Sequence, residues 1–438
     1  MVNHATFKPH EMPLFPYQRD GVAWMVNREQ SHFPGGFLCD EMGLGKTIQM
    51  IWTMKVNKLP KTLIIVPNSL VSQWEIELKK FGESATVTTY SKFVRENPMM
   101  YQQWDRLILD EGHEIRTFNT KRFVNICKIP SRIRWVLSGT PIYNKESEFN
   151  TLRSFVLQGP FKVPRGRILL RRTKQDVGLN LPSLNFENVQ IDMTPDEWSL
   201  YSDSFEEYAS QVLTGIQMLG AFVRMRQLSI HPSLCVPDYT GRSAKIDALV
   251  QDIRGHPGEK TIVFCQFHKE MDILTEELGP KYRVVRLDGN VPTEDRQELI
   301  DFFNLSVRKS GKPFDADCPA PVFLIQVKTG GQGLNLQAAT RVYITSPSWN
   351  PATELQAIAR AHRTGQTREV HVKRYVYTTQ SDDVNSIDEC LVKIQSRKSK
   401  ITADILEDQR IVDQIPGSLQ NISVQEIRKI FSRHVPNG

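Results

Sequence analysis

Gly35-Gly36-Phe37-Leu38-Cys39-Asp40-Glu41-Met42-Gly43-Leu44-Gly45-Lys46-Thr47 passes from a short apolar run, through a glycine-punctuated turn, into Lys-Thr at the head of a helical pattern. In outline this is a phosphate-binding loop. Backbone N–H groups exposed by the glycines, with the positive end of the following helix, make a nest for a β/γ-phosphate pair. Lys46 suits the terminal phosphates and the Thr47 hydroxyl suits Mg²⁺. The strict pattern G-x-x-x-x-G-K-[ST] fails at its first position, where Asp40 stands instead of glycine, leaving D-x-x-G-x-G-K-T. Alone, a Gly-Lys-Thr after an apolar run fits a plain strand-to-helix turn as well, so the remainder of the chain decides.

The next deciding stretch is Arg106-Leu107-Ile108-Leu109, which runs straight into Asp110-Glu111-Gly112-His113. An apolar strand delivering two carboxylates at its C-terminal end places them beside a phosphate loop in a doubly wound sheet, where ligands bind. Asp110 then suits Mg²⁺, and Glu111 suits polarisation of an attacking water. In isolation such a pair is more often a solvated turn. Paired with Lys46-Thr47 at ordinary domain spacing, it reads as the second half of a nucleotide site.

Further apolar runs at Thr62–Val66, Ala85–Thr89 and Arg134–Leu137 alternate with helical or loop stretches, the pattern of an α/β, parallel, doubly wound sheet. A second set begins at Thr261–Phe264 and continues through Tyr282–Leu287, Val322–Val327, Arg341–Ile344 and His371–Tyr377, without a phosphate loop. Between the sets, Thr194-Pro195 caps a helix whose Trp198, Tyr201, Phe205, Tyr208 and Val212 recur at three and four, a packing stripe. A basic cluster, Arg165, Arg167, Arg171, Arg172 and Lys174, opens this helical module. The expected domains are a first lobe over 1–158, a helical insertion and linker over 159–235, a second lobe over 236–380 and a C-terminal brace and terminal helix over 381–438. Val384, Ile387, Leu391 and Ile394 form the brace's apolar stripe, and Ser423 with Glu426 forms a capping box for the terminal helix.

Composition fits a soluble intracellular enzyme. A chain of 438 residues splits into more than one core, because single cores stop growing near roughly 250–300 residues. No apolar run approaches the roughly 18 residues of a membrane span, and the start lacks a signal peptide's apolar centre. The six cysteines show no C-x-x-C pair, so no structural zinc is expected. A formal charge of +6 leans only weakly towards a polyanionic partner.

Several smaller stretches complete the reading. Gln18 lies beside an apolar stripe of Tyr17, Gly21, Trp24 and Met25, where its amide either reads an adenine edge or sits on a helix surface. Ser138-Gly139-Thr140-Pro141 is a small-residue turn suited to sensing a γ-phosphate. Lys328-Thr329-Gly330-Gly331-Gln332-Gly333-Leu334-Asn335 either grips nucleic-acid phosphates or makes a tight turn. Gln356, Arg360 and Arg363, spaced by four and three, share one helix face. They are either arginine fingers towards a triphosphate or a solvated basic face.

Taken together, the chain resembles the Swi/Snf-like branch of helicase superfamily two, whose members are ATP-driven motors on double-stranded DNA. The matching stretches run in family order from Gln18 and Asp40–Thr47 through Leu63–Trp74, Asp110–His113, Ser138–Pro141 and Leu169–Lys174. They continue with Thr261–Phe267, Leu287–Arg296, Gln326–Asn335 and Trp349–Gln366, the last ending in Ala-His-Arg-Thr-Gly-Gln. The resemblance implies two RecA-like lobes with a helical insertion between them and a C-terminal helical brace. It implies ATP and Mg²⁺ as cofactors, with Lys46, Glu111, Arg360 and Arg363 catalytic. It implies DNA-backbone contacts at Ser69, Thr89, Lys328, Thr329, Gly330, Asn335 and Trp349, and so little sequence preference. Asp110-Glu111-Gly112-His113 with Ile115-Arg116 is similar to the subgroup tied to DNA-damage tolerance. That subgroup's zinc-binding RING module has no counterpart between His231 and Lys245. Where the family shows an acidic residue and paired tryptophans before Asn-Pro, this chain has Ser346-Pro347-Ser348-Trp349-Asn350-Pro351, a departure at one aromatic contact. Two other classes share these motifs: a strand-separating RNA or DNA helicase and an inactive DNA-binding scaffold. The resemblance disfavours the first, and the intact Lys46, Asp110, Glu111, Arg360 and Arg363 disfavour the second.

Overall fold

The structure, a computed structural model, describes residues 13–139, 146–179, 181–305, 307, 311–327, 334–348, 351–363, 365–379, 381, 384–406, 427–428 and 430–431. It divides into two compact units, Met1–Asn180 and Leu181–Gly438.

In chain order the first unit holds α1 (Pro16–Glu29), β1 (Gly35–Leu38), α2 (Lys46–Val56), β2 (Thr62–Val66), α3 (Val71–Phe81), β3 (Thr86–Thr89) and β4 (Trp104–Asp110). It continues with α4 (Lys121–Cys127), β5 (Ser131–Leu137), α5 (Glu146–Leu157), α6 (Arg165–Ile168) and β6 (Leu169–Leu170). The strands form a six-stranded sheet in the order β3-β2-β4-β5-β1-β6, with every pair parallel. Parallel strands covered by helices are buried on both faces. That is why β1 and β2 are buried at every residue and read as unbroken apolar runs. On one face Met25, Met50, Met54, Trp74 and Leu78 from α1, α2 and α3 close over Leu38, Ile64, Ile108 and Trp135. A second, ionic fastening ties the end of α1 to β4. Glu29 accepts from Arg106 Nε and Nη2 at 2.6 Å each, from Asn57 Nδ2 at 2.6 Å and from Trp135 Nε1 at 2.9 Å.

The second unit holds β7 (Leu184–Asp192), α7 (Pro195–Ser210), α8 (Gly215–Leu228), α9 (Ala244–Gly255), β8 (Thr261–Cys265), α10 (His268–Leu278), β9 (Val284–Leu287) and α11 (Thr293–Leu305). It continues with β10 (Val322–Gln326), β11 (Arg341–Ile344), α12 (Pro351–Ala361), β12 (Val370–Thr378) and α13 (Ile387–Leu406). Its sheet runs β7-β12-β11-β8-β10-β9, again all parallel. α7 and α8 pack with α13 and with Ile427, Ile430 and Phe431 in one apolar cluster.

The two parallel α/β sheets match the expectation, while the interval expected as helical differs. β6 joins the first sheet and β7 the second, so strands interrupt the interval, and its longer helices are α7 and α8 beside the short α6. Thr194 caps α7 by accepting from Glu197 N, and Tyr201 and Phe205 are buried as the stripe requires. Val212 is fully exposed, because α7 ends at Ser210 and the helical period stops before reaching it. Ser423 and Glu426 lie outside the described residues.

Candidate active site

At the carboxyl end of the first sheet, β1 runs out at Leu38 and the chain turns through 39–45 into α2. Gly45 caps α2 with φ 75° and ψ 45°, a left-handed conformation that glycine adopts without steric cost. This conformation turns the first N–H groups of α2 towards the loop's concave side. Lys46 Nζ donates to the Asp40 carbonyl at 2.9 Å, and Thr47 stands half-buried in the helix's first turn. Among the other loop residues, Gly43 is exposed, Glu41 and Met42 are half-buried and Leu44 is fully buried. The Gly139 Cα beyond β5 lies close to the same loop, where an added Cβ would stand 3.0 Å from Met42 Cγ and 3.5 Å from Lys46 Nζ. Thr140 and Pro141 lie outside the described residues.

Gln18 sits on α1 against this loop. Its Nε2 donates to Leu44 O at 3.2 Å and its Oε1 accepts from Phe15 N at 3.1 Å. The amide therefore holds the loop and the start of α1 together, and it is buried rather than on a helix surface. The Asp40 carboxylate is wholly buried and faces protein. Arg172 Nε donates to Oδ1 at 3.0 Å, Arg172 Nη2 to Oδ2 at 2.5 Å, and Gln49 Nε2 to Oδ2 at 3.0 Å. Expected as a cofactor contact, the Asp40 side chain is instead taken up by Arg172 and Gln49.

β4 ends with Asp110, buried, whose Oδ2 accepts from Trp74 Nε1 at 2.7 Å and whose Oδ1 accepts from Glu111 N at 3.0 Å. Burial first, then the neighbouring Glu111 carboxylate, pushes Asp110 up to about 6, against the opposing pull of the Trp74 bond and Lys46. Glu111 has φ 50° and ψ 48°, a left-handed conformation that costs a residue with a Cβ on the order of 1 kcal/mol or more. Its Oε2 lies 3.2 Å from His113 Nδ1. A backbone held off its preferred region by a hydrogen bond to the preceding carboxylate is the kind of strain that collects where a side chain must be aimed.

In the second unit, α12 carries Arg360 and is fixed at both ends, while Arg363, expected on the same helix face as Gln356 and Arg360, lies beyond the helix's last residue, Ala361. At its start, Glu354 accepts from Arg374 Nη1 at 2.9 Å and from the Ser348 amide. Gln395 of α13 joins them, accepting from Arg374 Nη1 at 2.8 Å and donating to Ser348 O at 2.9 Å. Arg226 of α8 donates to Pro347 O at 2.9 Å. Just past its end, Gln366 Nε2 donates to Gln337 O and Ala339 O at 2.9 and 3.0 Å. Arg363 is half-buried, and burial lowers its pKa from the ordinary value. The Gln356 side chain lies outside the described residues.

Of the expected nucleic-acid residues, Thr89 ends β3, where its hydroxyl lies 2.8 Å from that of Ser91, which in turn donates to Asn68 Oδ1 at 3.4 Å. Asn335 is exposed and its carbonyl accepts from Asn304 Nδ2 at 2.7 Å. Lys328, Thr329, Gly330, Trp349 and the Ser69 side chain lie outside the described residues. Reading the sequence missed the roles of Arg171, Arg172 and Lys174, all of which dock on the 39–44 loop.

The SNF2-related domain model matches residues 17–99 and 83–166, and the helicase conserved C-terminal domain model matches residues 244–365. The chain is similar to a probable global transactivator of Orgyia pseudotsugata multicapsid polyhedrosis virus, at 27% identity over 88% of this chain and 90% of the relative. It is also similar to a putative ATP-dependent helicase/translocase of Bacillus subtilis, at 28% identity over 96% of this chain and 51% of the relative. A mouse SWI/SNF-related regulator of chromatin is 26% identical over 97% of this chain and 46% of the relative. The chain thus spans nearly all of the viral relative and about half of the other two. A solved Sulfolobus solfataricus SWI2/SNF2 ATPase core in complex with dsDNA aligns at 25% identity and TM-score 0.43, covering 97% of this chain and 98% of that one. A phosphate loop and an Asp-Glu pair sharing one sheet end, followed by a second parallel sheet, define a helicase-like ATP hydrolase. The chain belongs to the SNF2-related ATPases, the Swi/Snf-like branch of helicase superfamily two.

Proposed function

We propose that this ATPase translocates along double-stranded DNA with little sequence preference, remodelling the DNA or the proteins on it. The observation that carries this reading is the meeting of Lys46, Thr47, Asp110 and Glu111 at one carboxyl sheet edge, with Arg360 on a helix fixed at both ends and Arg363 just beyond that helix's end. Lys46 neutralises the terminal phosphates, Glu111 orients the attacking water, and Arg360 and Arg363 supply positive charge to the transition state. One hydroxyl and one buried carboxylate fit Mg²⁺, which takes few protein ligands and completes its shell with phosphates and water. Thr47 and Asp110 would hold it, and it would spread the charge developing on the phosphates. Gln18, held on the loop through Leu44 O and Phe15 N, would turn its amide to the base when nucleotide binds. DNA is gripped through phosphates at Ser69, Thr89, Lys328, Thr329, Gly330 and Asn335, with Trp349 as the aromatic contact. The protein works where the genome is handled inside a cell; among the described residues no helix is long and apolar enough to cross a membrane.

The test is ATP hydrolysis measured against duplex DNA, single-stranded DNA and RNA, with displacement of a triplex-forming strand read in parallel. Duplex DNA is expected to stimulate most and the triplex strand to be displaced. Stronger stimulation by single strands, with unwinding of a duplex, favours the strand-separating reading instead.

A further inference from the structure

The chain departs from the strict phosphate-loop pattern at Asp40, and the structure shows what occupies the departure. Three residues just beyond β6, Arg171, Arg172 and Lys174, lie along the loop. Cys39 N donates to Leu170 O at 2.7 Å and Glu41 N donates to Arg172 O at 2.8 Å, so the loop's first residues continue the β1–β6 pairing. Arg171 Nη1 donates to both Cys39 O and Gly139 O at 3.3 Å, joining the loop to the end of β5. Arg172 grips the Asp40 carboxylate with two nitrogens, donates to Gln49 Oε1 at 2.9 Å and also donates to the Tyr17 carbonyl on α1. Lys174 Nζ lies 3.1 Å from Glu41 Oε1, while its backbone N–H donates to Glu41 Oε2 at 2.8 Å. α1 leaves no slack here, since a Cβ on Gly21 would fall 2.0 Å from Gln49 Oε1 and 2.7 Å from Arg172 Nη2.

A glycine-rich loop is shaped by what holds its backbone, and the usual first glycine only permits a shape. Here a buried two-point guanidinium–carboxylate fork imposes one. We infer that Arg171, Arg172 and Lys174 are positioning residues that clasp the ATP-binding loop, so that nucleotide affinity depends on the segment leaving β6. The inference rests on the proposed role of Lys46 and Thr47. By linkage the dependence is reciprocal: whatever factor the clasp adds to nucleotide affinity, bound nucleotide adds to the clasp's own stability.

Two measurements test this on the whole chain. In steady-state hydrolysis with saturating DNA, Arg172→Met raises KM for ATP about tenfold or more, with kcat per folded molecule changing less. Arg172→Lys, which keeps the charge and loses the fork, falls between Arg172→Met and the parent. Lys174→Met, whose partner Glu41 is more accessible than Asp40, raises KM about threefold and keeps the test informative if Arg172→Met does not fold. In hydrogen exchange, Mg²⁺–ATPγS slows the amides of 169–176 along with those of 39–47. Unchanged KM in Arg172→Lys and Lys174→Met, or protection confined to 39–47, overturns the clasp. Failure of the underlying site reading looks different: the parent does not hydrolyse ATP, or Lys46→Ala hydrolyses it at the parental rate.

Discussion

The two units share a six-stranded parallel sheet but place their buried charge differently. In the first, besides the Arg106–Glu29 pair that fastens α1 to β4, a fork between half-buried Arg172 and buried Asp40 lies directly on the loop between β1 and α2. In the second, the buried pairs Arg374–Glu354 and Lys245–Asp388 hold helices and the loop between β11 and α12. Ser346 donates to Asp388 Oδ1 at 2.9 Å, so this loop is held from α13 at two points, Asp388 and Gln395. Apolar packing fixes the sheets but is non-directional and cannot aim a backbone segment. Where a segment must be aimed yet left open on one side, both units use paired, hydrogen-bonded ionised side chains. The first unit aims the loop after β1, and the second aims the helix that bears Arg360.

The sharpest break of this comparison is chemical. Lys46→Ala and Glu111→Gln are each expected to lower ATP turnover on the order of 10³-fold or more, and Arg360→Ala by a comparable factor, as for other charge-stabilising groups in phosphoryl transfer. Steady-state hydrolysis with duplex DNA measures all three. If Arg360→Ala and Arg363→Ala hydrolyse at the parental rate, the second unit's aimed helix has no part in the chemistry and the parallel between the units fails.

A stability comparison sharpens it. Removing one partner of a buried pair leaves an uncompensated charge, at a cost of about 3–5 kcal/mol. Glu29→Gln, which leaves Arg106 without its carboxylate far from the loop, and Glu354→Gln, at the head of α12, should therefore both lower the denaturation midpoint by similar amounts. Only Glu354→Gln should also lower kcat among the molecules that remain folded. Equal kcat values for both variants would reduce the Arg374–Glu354–Gln395 cluster to a core fastening like that of Glu29.

What the sequence disclosed follows the same division. Strands buried on both faces are largely apolar runs, so β2, β4, β5, β8, β10 and β11 were legible to within a few residues, and β12 by its apolar end Tyr375–Tyr377. β7 was not. It lies at a sheet edge, and its apolar residues fall in two short alternating stretches, Leu184 with Phe186 and Val189 with Ile191, that slip in phase at Asn188, which blurs the signal. β6 is two residues long and carries no pattern at all. The phosphate loop and the Asp-Glu pair were legible because their chemistry is local. The Arg172–Asp40 fork was not, since its partners lie 132 positions apart and a run of basic residues reads as solvated surface. Val212 shows the converse, a period continued by chance past the end of its helix.

The smallest effect concerns protons and follows from the first unit alone. A carboxyl held at about 6 by burial and by a second carboxylate carries its proton below that pH, and a divalent cation at Asp110 has to displace it. The sign is therefore fixed: Mg²⁺-dependent nucleotide affinity should be flat above about pH 6 and fall by about tenfold per pH unit below it, one proton per cation. Asp110→Asn removes the titrating group and should flatten this dependence while weakening Mg²⁺ binding at neutral pH. Titration of a fluorescent ATP analogue with and without Mg²⁺ between pH 5 and 8 reads both. A slope that persists in Asp110→Asn would move the titrating group elsewhere and take Asp110 out of the cation's shell. The same titration on Arg360→Ala, in the second unit, should reproduce the parental slope, locating the proton in the first unit.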